Sequence, residues 1–244
     1  MLKFILIAIA VILVTIGLVK LVDKFIPQKY KPILNIVLWV LIAFLGYQTY
    51  MSIYEPIQFN QIKNKRYAAV IENLIDIRDS QLAHKQVTGR FTDSFDNLVK
   101  FIDTAQFTIT QRRDSTIKDA VLSKQFGVDM FKEIVVIDTL GYVPVKDSLF
   151  KTSNRYKTMM NVPGAENEKF KLQAGFIEQN KINIPVFEAS VTKNVILADQ
   201  NRDLLIQENQ VVSVDGVNGD KLKVGSMEEV NTNGNWPKTY GSAE

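Results

Sequence analysis

The stretch that most constrains this chain is Pro32 to Tyr54, PILNIVLWVLIAFLGYQTYMSIY. It carries no charged side chain between Lys31 and Glu55. A bilayer core of about 30 Å takes a helix of roughly 20 apolar residues, and this stretch is long enough. It predicts a transmembrane helix and divides the chain into an insertion device and a water-facing remainder.

Leu2 to Val22 form a second apolar segment, uncharged from Phe4 to Val19 and flanked by Lys3 and Lys20. Lysines at helix ends reach the headgroups without spoiling a span. A secretory signal peptide is the rival reading. Its apolar region usually runs about 7–15 residues and ends in a small-x-small site. This run is longer, and no such site precedes Asp23 and Lys24. The expectation is a retained helix and a transmembrane helical hairpin over residues 1–55. The loop between the spans holds Lys24, Lys29 and Lys31, with Lys20 just before it, against Asp23 alone. Short basic loops stay cytoplasmic, so residues 57–244 are expected outside, in the periplasm of an inner-membrane protein. Tyr47, Tyr50 and Tyr54 share one helix side at the end of the second span. With Lys20, Lys24, Lys29 and Lys31 they are the candidate membrane-interface residues.

Charge supports this division. Five of the 29 basic and two of the 26 acidic side chains lie in residues 1–55, which leaves 24 of each sign in residues 56–244. The basic excess belongs to membrane topology, and no nucleic-acid surface is expected. No Asp, Glu, Arg or His lies in mid-span, which argues against a transporter or proton channel. The chain has no cysteine, so neither disulfides nor thiol chemistry enter.

Past the membrane, Pro56 is expected to break or bend the chain. Phe59 to Lys85 then reads as a long amphipathic helix. Its candidate packing or partner face is Ile62, Val70, Leu74, Ile77 and Leu82. Glu72, Asp76, Arg78 and Asp79 are placed on its wet face. Gly89 ends it, and Thr92, Asp93 and Ser94 offer caps for a helix that buries Phe95, Leu98, Val99 and Ile102. Phe107-Thr-Ile-Thr is a candidate strand, and Ser115 to Gln125 reads as a short helix stopped by Gly127. Glu133 to Thr139, EIVVIDT, reads as a strand followed by a turn at LGYVP. Phe170 to Phe176 alternates as a strand with one wet face, and Ile184 to Val191 is another. Val211 to Val214 and Lys221 to Gly225 are expected to pair as a hairpin around DGVNGD. The fold class is therefore membrane-anchored α+β: the hairpin over 1–55, a mainly helical part over 56–125, a mainly antiparallel β part over 126–230, and a polar tail over 231–244 that is expected to be loose in part.

Reactive groups are scarce. His84, the single histidine, reads as a helix-end side chain near the negative end of the dipole. No second His or Cys completes a zinc site, and no phosphate-binding glycine motif occurs. Asp215, Asn218 and Asp220 are spaced partly like a calcium loop, but position twelve is Ser226 and turn chemistry explains them better. No catalytic residue, metal or cofactor is assigned.

The run His84-Lys-Gln-Val-Thr-Gly-Arg-Phe-Thr-Asp-Ser-Phe-Asp-Asn-Leu98, set after a span and an amphipathic helix, resembles pilins and pseudopilins over residues 33–102. There a long helix ends at a Gly-x-aromatic turn before a short one. The chain departs from that pattern in lacking a prepilin cleavage site and an early Glu, and in having two spans. Its tail from Val224, VGSMEEVNTNGNWPKTYG, looks like the ends of uncharacterised Bacteroidota envelope proteins. The expected function is a non-catalytic, membrane-anchored structural or accessory subunit of a bacterial envelope assembly. Its expected partners are the lipid bilayer and other envelope proteins or itself. The alternatives are a pilin-like subunit of a filament or secretion machine, and a membrane-bound hydrolase with an unmarked Ser–Lys or carboxylate site.

Overall fold

The computed structural model describes residues 27–240, with residues 13, 15–17, 19, 20 and 24. The first apolar segment, and with it the expected hairpin, lies largely outside the described residues. The chain divides into two compact units, Met1–Gln58 and Phe59–Glu244.

In the first unit a 3-10 turn, Gln28–Tyr30, leads into helix α1, Lys31–Thr88. Pro32 occupies its first turn, where no amide donor is needed. The apolar stretch of α1 is long enough to cross a membrane, and its side chains are unburied within the protein. Trp39 is 72% exposed. The hydroxyl of Thr49 donates to the Leu45 carbonyl at 2.8 Å, one turn back along the helix. The rings of Tyr50 and Tyr54 stack at 5.4 Å, and Tyr54 accepts from Gln58 Nε2 at 2.8 Å.

The break expected at Pro56 does not occur, and the residue lies inside α1. Proline removes one amide donor and crowds the preceding turn. The helix continues through that loss from Glu55 into Ile57.

In the second unit, Phe59–Thr88 of α1 is the element on which the rest packs. Its buried residues include Tyr67, Val70, Ile71, Leu74, Ile77, Ser80 and Ala83. At 100° per residue these cover far more than one stripe. The loop after Gly89 (φ +79°) is held by the buried Gln81 amide, which donates to Thr92 O at 2.6 Å and accepts from Thr92 N at 3.1 Å. Ser94 caps α2, Phe95–Thr104, and Leu98 and Ile102 are fully buried.

The chain then runs through strand β1 (Gln106–Lys118), helix α3 (Ala120–Phe126), strand β2 (Phe131–Pro144) and helix α4 (Val145–Leu149). Asp119 caps α3 and Gly127 closes it in the left-handed region. Strand β1 lies inside the part read as mainly helical. Strand β2 runs through LGYVP, in place of the expected turn, because a bulge beside Ile109/Thr110 absorbs the extra residue.

A second, three-stranded antiparallel sheet has the order β3-β4-β5. Its strands are β3 (Lys171–Gln179), β4 (Ile182–Thr192) and β5 (Lys221–Gly225). Helices α5 (Lys193–Ile196) and α6 (Arg202–Asn209) lie between β4 and β5. The expected pairing of Val211–Val214 with β5 does not occur. Strand β5 pairs with β4, and Val212 and Val214 are 90% and 92% exposed. Gly225 (φ +77°) is required there, because a Cβ would fall 2.2 Å from Phe187 O.

One core joins the second unit's part of α1, α2 and the second sheet. Leu74, Ile77, Leu98, Phe187, Ala189 and Leu222 are fully buried within it. Each large aliphatic or aromatic side chain contributes roughly 1.5–3 kcal/mol on burial. The tail is not loose as far as Tyr240. Trp236 is buried, Gly234 bridges to Val224, and Tyr240 donates to Asn64 Oδ1 at 2.5 Å.

Candidate functional site

Within the candidate packing or partner face, Val70, Leu74 and Ile77 are buried in the core. Ile62 is half-buried, and Leu82 is 39% exposed. The part of this face that is buried therefore serves internal packing. Of the wet-face residues, Asp76 and Arg78 are buried, which corrects the sequence reading. Asp76 lies opposite the apolar stripe, and Arg155 covers that side; Arg78 lies four residues after Leu74 and seven after Ile71, which puts it on the buried side of the helix. Tyr47, Tyr50, Lys20, Lys24 and Lys29 are exposed, as is Tyr54, and Lys31 is half-buried.

A buried ionic cluster, unmarked in the sequence, ties α1 to α5 and α6. Lys193 has no exposed surface. Its ammonium donates to Glu208 O at 2.7 Å, Glu208 Oε1 at 3.1 Å and Val217 O at 2.8 Å. Burial pushes the Lys193 pKa down, and the Glu208 carboxylate opposes that shift. Lys63 reaches Glu208 Oε2 at 2.9 Å, and Tyr67 donates to Oε1 at 3.3 Å. Burial, then the Glu208 charge, hold the Tyr67 phenol well above its ordinary range. Three oxygens surround the Lys193 nitrogen, one for each proton of its charged form. The cluster works as a structural pin. Beside it lies a cavity of about 570 Å³ that includes Asn60, Tyr67, Ser213, Asp215 and Tyr240 in its lining.

His84 Nδ1 donates to Arg90 O at 2.7 Å, and its ring meets Phe101 edge-on at 4.8 Å. It joins the end of α1 to the following loop beside an open cavity of about 440 Å³. Asp215 and Asn218 hold a loop, with Asn218 Oδ1 accepting from Ser213 N at 2.8 Å. Among the described residues no three His, Cys, Asp or Glu side chains converge as a metal site would need.

The arm β1–α3–β2 of the second unit carries a broad uncovered apolar surface. No residue from 106 to 144 is buried. Phe126, Val128 and Phe131 at its tip, and Ile137, Leu140 and Tyr142 along β2, are 60–66% exposed. The ion pair Arg113–Asp138 at 2.8 Å braces the strands. A two-stranded ribbon alone is marginal in water, and large exposed apolar patches are uncommon on soluble domains. The run EIVVIDT is legible as a strand, but its exposure is not. No protein-family model, curated protein or solved structure matches the chain.

Proposed function

We propose that this protein is a non-catalytic, membrane-anchored subunit of a bacterial envelope assembly, and that it holds that assembly together through the β1–α3–β2 arm. The apolar surface of the arm carries this reading, because water disfavours leaving such a surface uncovered. The charge-free stretch of α1 supports the membrane anchor. The basic residues Lys20, Lys24, Lys29 and Lys31 support an inner-membrane location with the second unit in the periplasm.

The test is purification of the full chain in mild detergent, with and without the paired changes Ile137→Ser and Tyr142→Ser on the arm. A complex that survives solubilisation and falls apart in the variant is the expected result. A complex indifferent to the arm, or a variant that loses an enzymatic activity while still assembled, overturns the reading. A cytoplasm-only reporter fused after Glu244 should be silent, and a signal from it reverses the orientation.

A further inference from the structure

We propose that the arm binds a second copy of this chain by pairing β2 with β2 across a two-fold axis through Val135. This names the partner of the contact surface described above and rests on that reading.

The sheet containing the arm has two strands, so the outer edge of β2 is unpaired. Among the described residues, those from 131 to 139 make no backbone hydrogen bond away from β1. An open edge is a template for another strand. The two edges of the arm differ. Strand β1 carries Arg112, Arg113 and Asp114 at its middle, charges of the kind that blunt an edge. Strand β2 carries Ile134, Val135, Val136 and Ile137 there, with no charge at all.

Antiparallel pairing about a two-fold axis places residues of equal parity opposite each other, because the axis is perpendicular to the sheet and keeps each side chain on its face. The register is then a choice among few. With Val135 on the axis, Lys132 faces the second copy's Asp138 and Ile134 faces its Val136, each twice. On the other face Val135 meets its own copy and Ile137 meets Glu133. A register centred on Glu133 sets that carboxylate against itself. Registers centred on Ile134, Val136 or Ile137 set Lys132 or Asp138 against an apolar or uncharged residue. Only the Val135 register pairs Lys132 with Asp138 at both ends of the stretch, with Ile134, Val135 and Val136 meeting apolar residues between them and Glu133 standing opposite Ile137. Lys132 and Asp138 already face Asp119 and Arg113 within the arm, at 4.0 and 2.8 Å, but their side chains stay 55% and 46% exposed. A carboxylate has lone pairs for two cationic partners.

The chain has no cysteine, so single cysteines report the register without background. The full chain carrying Val135→Cys is purified in detergent and mildly oxidised. Directly opposed Cβ atoms lie about 4.5–5.5 Å apart, close enough to form a disulfide with little movement. The expected product is a linked dimer from Val135→Cys and none from Glu133→Cys, whose copies would lie about 14 Å apart at ~3.4 Å per residue. Lys132→Asp and Asp138→Lys should each weaken the dimer about tenfold. An equimolar mixture of the two proteins should restore it. In the mixed dimer the first variant brings an acid at both positions and the second a lysine at both, so every cross-strand charge contact is again attractive.

Monomers at every concentration, with no linked Val135→Cys product, overturn the proposal. So does linkage from Glu133→Cys in place of Val135→Cys, or a mixture no tighter than its parts. If Val135→Cys links instead to a different protein, the arm is still a contact surface and only the second copy is wrong. If it links to nothing and the arm variants still assemble, both readings fall.

Discussion

Arg155 grips Asp76 with a two-pronged contact, Nε to Oδ2 at 2.6 Å and Nη2 to Oδ1 at 2.9 Å, across 79 residues of chain. Asp76 is 5% exposed, while the arginine side chain is half in solvent. Burial raises the Asp76 pKa, and Arg155 pulls it back.

Arg155→Met leaves that carboxylate buried without a counter-charge. Breaking a buried pair costs up to about 3–5 kcal/mol, and the exposure of Arg155 reduces this to about 1–3 kcal/mol. An acid whose folded pKa is raised favours the fold when protonated, and that benefit is lost as pH rises through the folded pKa. The deficit of the variant should therefore be largest at pH 7 and shrink towards pH 4. Urea unfolding of wild type and variant at both pH values measures it. An equal deficit at the two pH values would show that the carboxylate is not the cause.

Tyr156 is fully buried and donates to Asp103 Oδ1 at 2.5 Å. That bond, then burial, push its phenol up to about 12. A free tyrosine ionises near 10, so its contribution is complete below about pH 10 and lost as pH rises through about 12. Tyr156→Phe should cost about 1.5–3 kcal/mol at pH 7 and much less above pH 12. Thermal melts of both proteins across this range check the sign.

Lys193→Met exchanges the ammonium for an apolar chain of similar length. It strands the carbonyls of Glu208 and Val217 and leaves Glu208 with Lys63 as its remaining cation. We expect a loss of about 3–5 kcal/mol with no change in helix content of the surviving folded fraction. Chemical denaturation followed by circular dichroism reads both. A neutral or stabilised variant would mean that the cluster is dispensable for stability.

Leu74→Asp and Leu82→Asp separate the two parts of the α1 stripe. Leu74 is fully buried and Leu82 is 39% exposed. A charge at Leu74 costs several kcal/mol and should unfold the second unit, whereas Leu82→Asp should stay within about 0.5 kcal/mol of wild type. Limited proteolysis distinguishes them, and equal resistance of the two variants would contradict the packing described.

The local features were legible because local chemistry decides them. Ser94 and Gly127 mark ends that only a cap or a left-handed residue can make. The alternation around Leu172 and Ala174 needs a sheet with one wet face. What escaped depends on distant partners. Spacing on α1 shows one apolar stripe, yet Asp76 on the opposite side is covered because Arg155, 79 residues along the chain, closes over it. Val212 and Val214 have strand propensity but stay unpaired, since β4 has taken β5. In β2, Val135 and Ile137 read like any core strand, and nothing in their order says that the surface opposite is missing.

The bonds that hold the second unit together also fix when it can close. Asn64 takes its partner from Tyr240, 176 residues later, and Arg66 takes its own from Asp199, 133 residues later. At synthesis rates of about 5–20 residues per second, the apolar side chains of α1 from Phe59 onward wait on the order of ten seconds or more for their cover. Contacts that close loops of more than a hundred residues slow folding, because their closure entropy is lost before the contact forms. A chain cut before Asp199 would leave Arg66 and Asn64 without these partners, so it would not be a smaller version of the finished domain.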